Sequence, residues 1–263
     1  MTQKVFAPGK IILSGEYAVL FGEPGIAIPS SQGITASFEA NASREITIKT
    51  DDSMEHPLWK KYIHDLIEHC QKIKQQGGTL TLSTTLPMGK GMGSSTAMII
   101  AITSALLGRN EKNARETENT MNPGNSGIDF AVIWNEKPIL FTGGTIENIR
   151  FDVTSLDGAA LIDTGQPNET TPELVEWVKS RKEELKNAIR EIGDCSRLLS
   201  KGASPLTIFP RHHRAQVELG VVPEVVQKLI EEIERTGGAA KVIGAGGRTG
   251  GAGMVLALKP PAS

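Results

Sequence analysis

The sequence is poor in cysteine and has no excess of basic residues, and these shortages exclude several classes of protein. Its two cysteines, Cys70 and Cys195, stand without a second cysteine or a histidine pair at a metal-binding spacing. This excludes a disulfide-stapled scaffold and a zinc finger, and reduced thiols are typical of a cytoplasmic protein. Lysine and arginine total 28 against 30 acidic residues, which gives a net charge of −2. Because nucleic acids and acidic membranes attract basic proteins, we expect neither as a partner.

Long apolar runs are also missing. No stretch approaches the roughly 20 apolar residues that a membrane-spanning helix needs. Residues 1–6 are too few and too polar for a signal peptide. Hydrophobic residues make up 39% of the 263 residues and charged residues 22%, as in ordinary globular proteins. We therefore expect a soluble protein with one large domain, or with two smaller domains that share a cleft.

The spacing of apolar residues predicts a mixture of strands and helices. Short β-like runs dominate up to residue 49, and a helix is predicted over residues 58–75. The buried stripe predicted for this helix comprises Leu58, Tyr62, Leu66, Cys70 and Ile73. After Pro172 long amphipathic helices dominate, the first over residues 173–192. The pattern predicts an α+β fold with a domain boundary near residue 152.

One glycine cluster lies between a predicted strand, residues 79–85, and a predicted helix, residues 94–107. Glycines let a backbone turn its N–H groups toward an anion, and the following helix offers unpaired N–H groups and the positive end of its dipole. The string therefore predicts a phosphate site rather than a plain turn capped by serine, although it does not fit the Walker A spacing. The residues predicted to bind the nucleotide here are Pro87, Gly89, Lys90, Gly91, Met92, Gly93, Ser94, Ser95 and Thr96.

Three motifs together resemble those of one superfamily. The loop reads Pro-x-Gly-x-Gly-x-Gly-Ser-Ser from Pro87, which resembles the central nucleotide motif of the GHMP kinases. Residues 7–22, from Ala-Pro-Gly-Lys to Gly-Glu-Tyr-Ala-Val-Leu-Phe-Gly, resemble their N-terminal motif. Residues 241–247, Lys-Val-Ile-Gly-Ala-Gly-Gly, resemble their C-terminal motif, and three motifs in the right order argue against a chance match. The C-terminal motif adds four predicted nucleotide-binding residues, Gly244, Ala245, Gly246 and Gly247.

The resemblance carries expectations about fold and ligands. It implies a two-domain GHMP kinase fold, with a ribosomal protein S5-like N-terminal domain in residues 1–152 and a ferredoxin-like C-terminal domain in residues 153–263. It implies ATP as the phosphate donor, Mg²⁺ as its counter-ion and a small alcohol as the acceptor. It is also compatible with a homodimer.

Two residues are implied as catalytic by their positions in the motifs. Residues 125–129, Asn-Ser-Gly-Ile-Asp, resemble the family's Pro-Ser-Gly-x-Asp segment, whose aspartate is the proposed base. Asp129 takes that role and Ser126 a place at the substrate. Lys10 matches the lysine beside that aspartate, where a cation would stabilise negative charge on the reacting oxygen. From the residues alone, a helix-capping aspartate and a solvated lysine remain the alternatives.

The metal ligands follow from the same resemblance. Glu118 precedes Asp129 by the offset at which mevalonate kinases of this superfamily carry a Mg²⁺-binding glutamate. Ser95 matches the serine that completes the metal site, and oxygen ligands suit a hard cation. Glu116 is a near competitor, and a solvated helix face would explain both acids.

The acceptor site is where the chain departs from the family. Glu16 and Tyr17 stand at the family's Gly-Glu-His substrate position, with tyrosine in place of histidine. Thr170 or Thr171 matches a downstream threonine, and Thr171 is our prediction, with an N-cap before the next helix as the alternative. The third glycine loop is lengthened by Arg248 and the residues after it.

The resemblance is strongest to the mevalonate kinase family, which implies ATP-dependent phosphorylation of mevalonate to 5-phosphomevalonate in isoprenoid precursor synthesis. Phosphomevalonate kinases often carry a tyrosine at the position of Tyr17, which makes them the nearest alternative. A sugar or homoserine kinase comes next. A non-catalytic nucleotide sensor is a further alternative, but such proteins tend to lose the base or the lysine, and Lys10 and Asp129 are both present.

Overall fold

The computed structural model describes residues 2–259 as a mixture of strands and helices. Its strands are β1 (Thr2–Ser14), β2 (Gly25–Asn41), β3 (Ile46–Thr50), β4 (Gly77–Thr84), β5 (Ile139–Thr142), β6 (Thr145–Asn148), β7 (Ala160–Asp163), β8 (Ala239–Ile243) and β9 (Met254–Leu258). Its α-helices are α1 (Pro57–Ile73), α2 (Ser94–Leu107), α3 (Glu111–Met121), α4 (Ile128–Asn135), α5 (Thr171–Ser180), α6 (Lys182–Ser200), α7 (Pro205–Glu218) and α8 (Glu224–Arg235). The predicted α+β class is confirmed. Within residues 2–259, none of the helices has both the length and the apolar character needed to cross a membrane.

Internal contacts divide the chain into two compact units. The first comprises the residues up to Lys10 together with Pro29–Glu136, and the second comprises Ile11–Ile28 together with the residues from Lys137 onward. Strands β1 and β2 each contribute to both units. The boundary near residue 152 concerns the domains of the family and stays a prediction.

The first unit surrounds helix α2 with apolar contacts. Strand β3 runs parallel to β4, and β4 runs antiparallel to β2 with Ile34 opposite Thr84. Helix α2 contacts α1, α3 and α4, and all of its residues from Thr96 to Leu106 are buried. A helix that is apolar on every side belongs in an interior. The helix end that follows the glycine loop is therefore fixed by the core.

The second unit has its own strand pairs and two apolar clusters. Gly25 of β2 lies opposite Phe141 of β5, and β5 pairs with β6. A separate antiparallel sheet has the order β7-β9-β8. One cluster joins α5, α6 and α7, and includes Leu174 and Ile189. The other places Ile230 of α8 against Val242 of β8 and its neighbours.

Helix α1 buries a different face from the predicted one. Leu58 is 72% exposed and Ile73 is 47% exposed. The buried apolar residues are Ile63, Leu66, Ile67 and Cys70. The predicted stripe was therefore wrong at both ends of the helix. Apolar spacing identifies a helix but does not decide between two adjacent faces, and contact with α2 selects the one that is buried.

The helix predicted over residues 173–192 is two helices. α5 ends at Ser180, and Arg181 has φ of −112° and ψ of 18°, outside helical geometry. α6 then continues to Ser200. Residues 173–192 contain no glycine or proline, so no residue in this range signals a helix break. Arg181 instead pairs with Glu184 and stacks 4.6 Å from the Trp177 ring, and these contacts hold the junction.

Candidate active site

The glycine loop of the first unit turns sharply between β4 and α2. Gly89, Gly91 and Gly93 have φ of 72°, 82° and 77°, a region that other residues rarely adopt. Gly93 is the N-cap of α2, and no side chain caps the helix there. The first N–H groups of the helix and the positive end of its dipole are therefore available to an anion.

The polar side chains of the loop lie around this helix start. The Ser94 hydroxyl is buried and donates to the Pro87 carbonyl at 3.4 Å. Lys90 and Ser95 are half-buried. The Thr96 hydroxyl is buried and points to a carboxylate described below. The nucleotide residues predicted in this loop are thus gathered at one helix N-terminus, and their role stays a prediction.

Lys10 lies against the same loop. Its backbone N–H donates to the Met92 carbonyl at 3.0 Å, and a Cβ on Gly93 would come within 2.9 Å of the Lys10 Cγ. The Lys10 side chain is 4% exposed, and its Nζ lies 3.2 Å from Oδ1 of Asp129, which is 34% exposed. The structure therefore brings the two predicted catalytic residues together beside the loop.

Asp129 lies in the first turn of α4, where a helix dipole stabilises a negative charge. The N-cap of this helix is Gly127, with φ of 86°. Asp129 is therefore not the capping residue that the alternative interpretation required. Ser126 precedes this turn, and its hydroxyl accepts from the Ile128 N–H at 3.4 Å.

Glu118 is a buried carboxylate with one oxygen occupied and one without a partner. Its Oε1 accepts from the Thr96 hydroxyl at 3.0 Å and from the Asn122 amide at 3.1 Å. Among the described residues, its Oε2 has no hydrogen-bond partner. Burial and the nearby Asp129 charge raise the pKa of Glu118 to about 7, although the two hydrogen bonds oppose this shift. This buried glutamate is not on the solvated helix face that the alternative interpretation required, whereas Glu116 is exposed.

This donor set fits a magnesium ion that shares its ligands with phosphate. Residues 2–259 hold no group of three or more histidine, cysteine, aspartate or glutamate side chains that could bind a metal on their own. Mg²⁺ usually takes one or two carboxylates and completes its shell with phosphate and water. The unpaired Glu118 Oε2, buried beside the loop residue Thr96, is such a carboxylate oxygen.

Glu16 of the second unit is enclosed by protein partners. Its Oε1 accepts from the Lys241 ammonium, which also donates to the Ile12 carbonyl at 3.1 Å. His212 Nε2 lies 3.0 Å from Oε2. Burial alone raises the pKa of Glu16, but Lys241 and His212 outweigh it and hold the pKa at about 2. Burial lowers the pKa of His212, and so does the Lys241 charge.

Tyr17 connects the N-terminal motif to the third glycine loop. Its hydroxyl donates to the Ala245 carbonyl, and its ring is buried in the apolar cluster of α5, α6 and α7. Its φ of 63° is uncommon for a residue with a side chain. In the loop itself, Gly246 has φ of 71°, and Gly247 donates its N–H to the Val221 carbonyl at 3.0 Å. The polar groups of Glu16 and Tyr17 are thus bound by protein atoms, and their predicted contact with substrate stays a prediction.

The two candidate threonines have different environments. Thr170 is the N-cap of α5 and forms a capping box with Glu173. Thr171 is the next residue and is exposed. The capping interpretation therefore applies to Thr170, and the substrate role of Thr171 stays a prediction.

The lengthened third loop is held by an acid and an indole ring. Glu169 accepts from the backbone N–H groups of Arg248 and Thr249 at 3.0 and 3.3 Å. The guanidinium carbon of Arg248 lies 3.6 Å from the Trp177 ring centroid. This stacking is a cation–π contact, which fixes the arginine against the protein surface.

Four residues of the hydrogen-bond networks around Glu118 and Glu16 were not predicted as site residues: Tyr62, Asn122, Lys241 and His212. Lys241 opens the C-terminal motif and so carried a weak signal. Tyr62 was assigned to the stripe of α1, and its hydroxyl donates to Asn122 Oδ1 at 3.1 Å. Neither Tyr62 nor His212 carried a motif signal.

Known proteins support the motif-based resemblance. The GHMP kinases N terminal domain model matches residues 59–134. The mevalonate kinase of Archaeoglobus fulgidus is 27% identical over 264 residues, which cover 92% of this chain and 88% of the relative. The mevalonate kinase of Pyrococcus furiosus is 26% identical over 302 residues, which cover 97% and 88%.

Solved structures share the fold. The Methanococcus jannaschii mevalonate kinase aligns with a TM-score of 0.78 at 18% identity, covering 98% of this chain and 90% of that one. A mevalonate kinase from methicillin-resistant Staphylococcus aureus aligns with a TM-score of 0.66 at 27% identity, with the same coverage. The predicted two-domain GHMP kinase fold is confirmed. Residues 59–134 match the GHMP kinase N-terminal domain, and the chain is similar over most of its length to mevalonate kinases.

Proposed function

We propose that the protein is an ATP-dependent kinase that phosphorylates the hydroxyl of mevalonate and releases 5-phosphomevalonate and ADP. The observation that carries this proposal is the pair of Lys10 and Asp129, with Nζ 3.2 Å from Oδ1, set beside a glycine loop at a helix N-terminus. A non-catalytic nucleotide sensor would have no use for this pair. Similarity to mevalonate kinases over most of the chain supports mevalonate as the acceptor.

The chemistry needs charge neutralisation and a proton acceptor. The acceptor oxygen forms a bond to the γ-phosphorus of ATP, and the bond from that phosphorus to the bridging oxygen of ADP breaks. The hydroxyl proton goes to the Asp129 carboxylate, which is the more exposed member of the pair. The Lys10 ammonium stabilises the negative charge that develops on the attacking oxygen. The N–H groups at the start of α2 hold the phosphates.

Mg²⁺ is part of this proposal. When bound, it would neutralise charge on the phosphate oxygens of the nucleotide. Glu118 and Ser95 are the residues proposed to hold it. The support is the buried Glu118 oxygen that lacks a partner among the described residues, together with the position of Ser95 in the first turn of α2.

Tyr17 does not favour a phosphomevalonate acceptor. The sequence argument for that alternative was the tyrosine at the family's histidine position. In the structure, its hydroxyl donates to Ala245 and its ring is buried, so it is engaged with the protein itself.

A cytoplasmic location completes the proposal, because Cys70 and Cys195 are both buried and unpaired.

The test is a comparison of two aspartate variants. Asp129→Asn keeps the size of the side chain and removes the base, so the rate of mevalonate phosphorylation, followed by ³¹P NMR of the product, should fall at least about 10²-fold. Asp65→Asn is the control, because Asp65 is exposed and pairs with Lys61 on the surface of α1. Nucleotide affinity should be the same in both variants. Equal phosphorylation rates in both variants would show that Asp129 is not the base.

A further inference from the structure

Glu118 is held by a chain of three polar side chains from different elements. The Tyr62 hydroxyl of α1 donates to Asn122 Oδ1 at 3.1 Å. The Asn122 amide, which follows α3, donates to Glu118 Oε1 at 3.1 Å. The Thr96 hydroxyl of α2 donates to the same oxygen at 3.0 Å. All of these residues lie in the first unit.

The order of donors and acceptors fixes the orientation of each group. A tyrosine hydroxyl that donates to Asn122 Oδ1 requires the amide oxygen to face α1, so the NH₂ group must face Glu118. That NH₂ group and the Thr96 hydroxyl both occupy Oε1. Oε2 is consequently the oxygen left buried without a partner among residues 2–259.

The Asn122 side chain is not needed to end helix α3. The backbone N–H of Asn122 already closes the last turn by donating to the Glu118 carbonyl at 2.8 Å. Its side-chain amide is therefore available for another hydrogen bond, and it donates to the Glu118 carboxylate. A buried carboxylate oxygen without a donor is costly unless a ligand satisfies it.

We propose that Asn122 and Tyr62 are positioning residues that hold Glu118 by Oε1 and reserve Oε2 for the divalent cation of the nucleotide. This inference rests on the proposed function, because it takes Glu118 as the metal ligand. Groups that orient a metal ligand tune its affinity, and their loss typically weakens metal binding by about 10–100-fold. Neither residue contacts the acceptor in this account.

The experiment measures metal binding directly. Mn²⁺ is titrated into the protein with a non-hydrolysable ATP analogue, and free Mn²⁺ is read from its electron paramagnetic resonance signal. Asn122→Ala should weaken Mn²⁺ binding by about 10-fold or more, and Tyr62→Phe by roughly 2- to 10-fold, because it removes one neutral hydrogen bond. Asn119→Ala is the matched control, since Asn119 is an exposed asparagine of α3 three residues before Asn122, and the Mn²⁺ affinity of this variant should equal that of the unaltered protein.

A purely structural role predicts a different result. It would lower the melting temperature of Asn122→Ala without changing Mn²⁺ affinity, and that result would overturn the proposal. If Asn122→Ala does not fold, Tyr62→Phe alone tests the proposal. An unchanged Mn²⁺ affinity in that variant would also overturn it. No acceptor is present in this titration, so its outcome is independent of whether the acceptor is mevalonate.

Discussion

The Lys10 ammonium lies 3.2 Å from Oδ1 of Asp129, and the two side chains differ in exposure. The lysine is 4% exposed and the aspartate 34%. The cation is thus enclosed by the glycine loop, while the carboxylate remains open to a ligand. This asymmetry suits a pair in which the aspartate takes a proton from an incoming hydroxyl and the lysine stays charged beside it.

Lys10→Met tests the role of the enclosed charge. Methionine keeps an apolar stem of similar length but removes the ammonium, so transition-state charge loses its stabilisation. We expect the kcat for mevalonate phosphorylation to fall about 10²-fold or more, with little change in the KM for mevalonate. Steady-state kinetics measure both constants. A raised KM with normal kcat would instead make Lys10 a simple substrate contact.

Gly93→Ala tests the contact between the loop and Lys10. Gly93 has φ of 77°, and an alanine Cβ would lie 2.9 Å from the Lys10 Cγ and 3.0 Å from the Ile133 Cδ1. We expect weaker nucleotide binding, by about 10-fold, because the loop or the lysine must shift. Fluorescent-nucleotide titration measures the effect.

Gly108→Ala is the matched control for this substitution. Gly108 ends the same helix with φ of 82°, and nothing lies within 4 Å of its Cβ position. Gly93 has ψ of 28° and Gly108 has ψ of 159°, and at both positions the positive φ imposes backbone strain on an alanine, of order 1–3 kcal/mol. Only Gly93→Ala should lower nucleotide affinity. An equal loss of nucleotide affinity in both variants would mean that backbone strain, and not the contact with Lys10, weakens nucleotide binding.

Tyr17→Phe tests the anchor of the third glycine loop. The substitution removes only the hydroxyl that Ala245 accepts from. If that loop binds nucleotide, the KM for ATP should rise several-fold, by roughly 2- to 10-fold, while the KM for mevalonate stays constant. Initial rates with each substrate varied in turn separate the two constants. A rise in the KM for mevalonate alone would show that Tyr17 contributes to the acceptor site instead.

Glu16→Gln tests the buried pair with Lys241. Burial opposes ionisation of Glu16, but Lys241 and His212 lower its pKa from 4.5 to about 2. A carboxyl whose pKa is lower in the folded state stabilises the fold fully above the unfolded pKa, and this contribution is lost as the pH falls from 4.5 toward 2. Near pH 7, Glu16→Gln breaks the buried ion pair between Glu16 and Lys241 and should reduce the free energy of unfolding by about 3–5 kcal/mol.

Urea unfolding at several pH values measures this difference. It should shrink as the pH falls from 4.5 toward 2, because the unfolded chain then binds a proton at Glu16 that the folded protein does not bind until about pH 2. Glu224→Gln is the control, since Glu224 pairs with Lys228 on the exposed face of α8. It should leave stability nearly unchanged. A pH-independent difference for Glu16→Gln would show that packing, and not charge, accounts for the loss.

The sequence predicted the parts of the site that depend on local order along the chain. Helix α2 has the predicted bounds, Ser94–Leu107, because the glycine loop precedes its largely apolar sequence and Gly108 follows it. The approach of Lys10 to Asp129 was predicted from motif positions alone. Local pattern and family motifs were sufficient for both.

The remaining contacts depend on tertiary structure. Tyr62 and Asn122 are separated by 60 positions, Glu16 and Lys241 by 225, and the folded chain alone makes these pairs. For the same reason Leu58 and Ile73 were assigned to a buried stripe although α1 turns them to solvent. Residue spacing specifies a helix, and packing decides which of its side chains meet a partner.

The most direct measurement is coupled ADP release with Mg-ATP and a panel of acceptors: mevalonate, phosphomevalonate, homoserine and galactose. Turnover with mevalonate, at a rate well above that with each of the others, is the predicted result. Turnover with phosphomevalonate or a sugar in its place would contradict the proposed acceptor and keep the phosphoryl-transfer site. Absence of turnover with every acceptor, while ATP still binds, would contradict the kinase assignment itself.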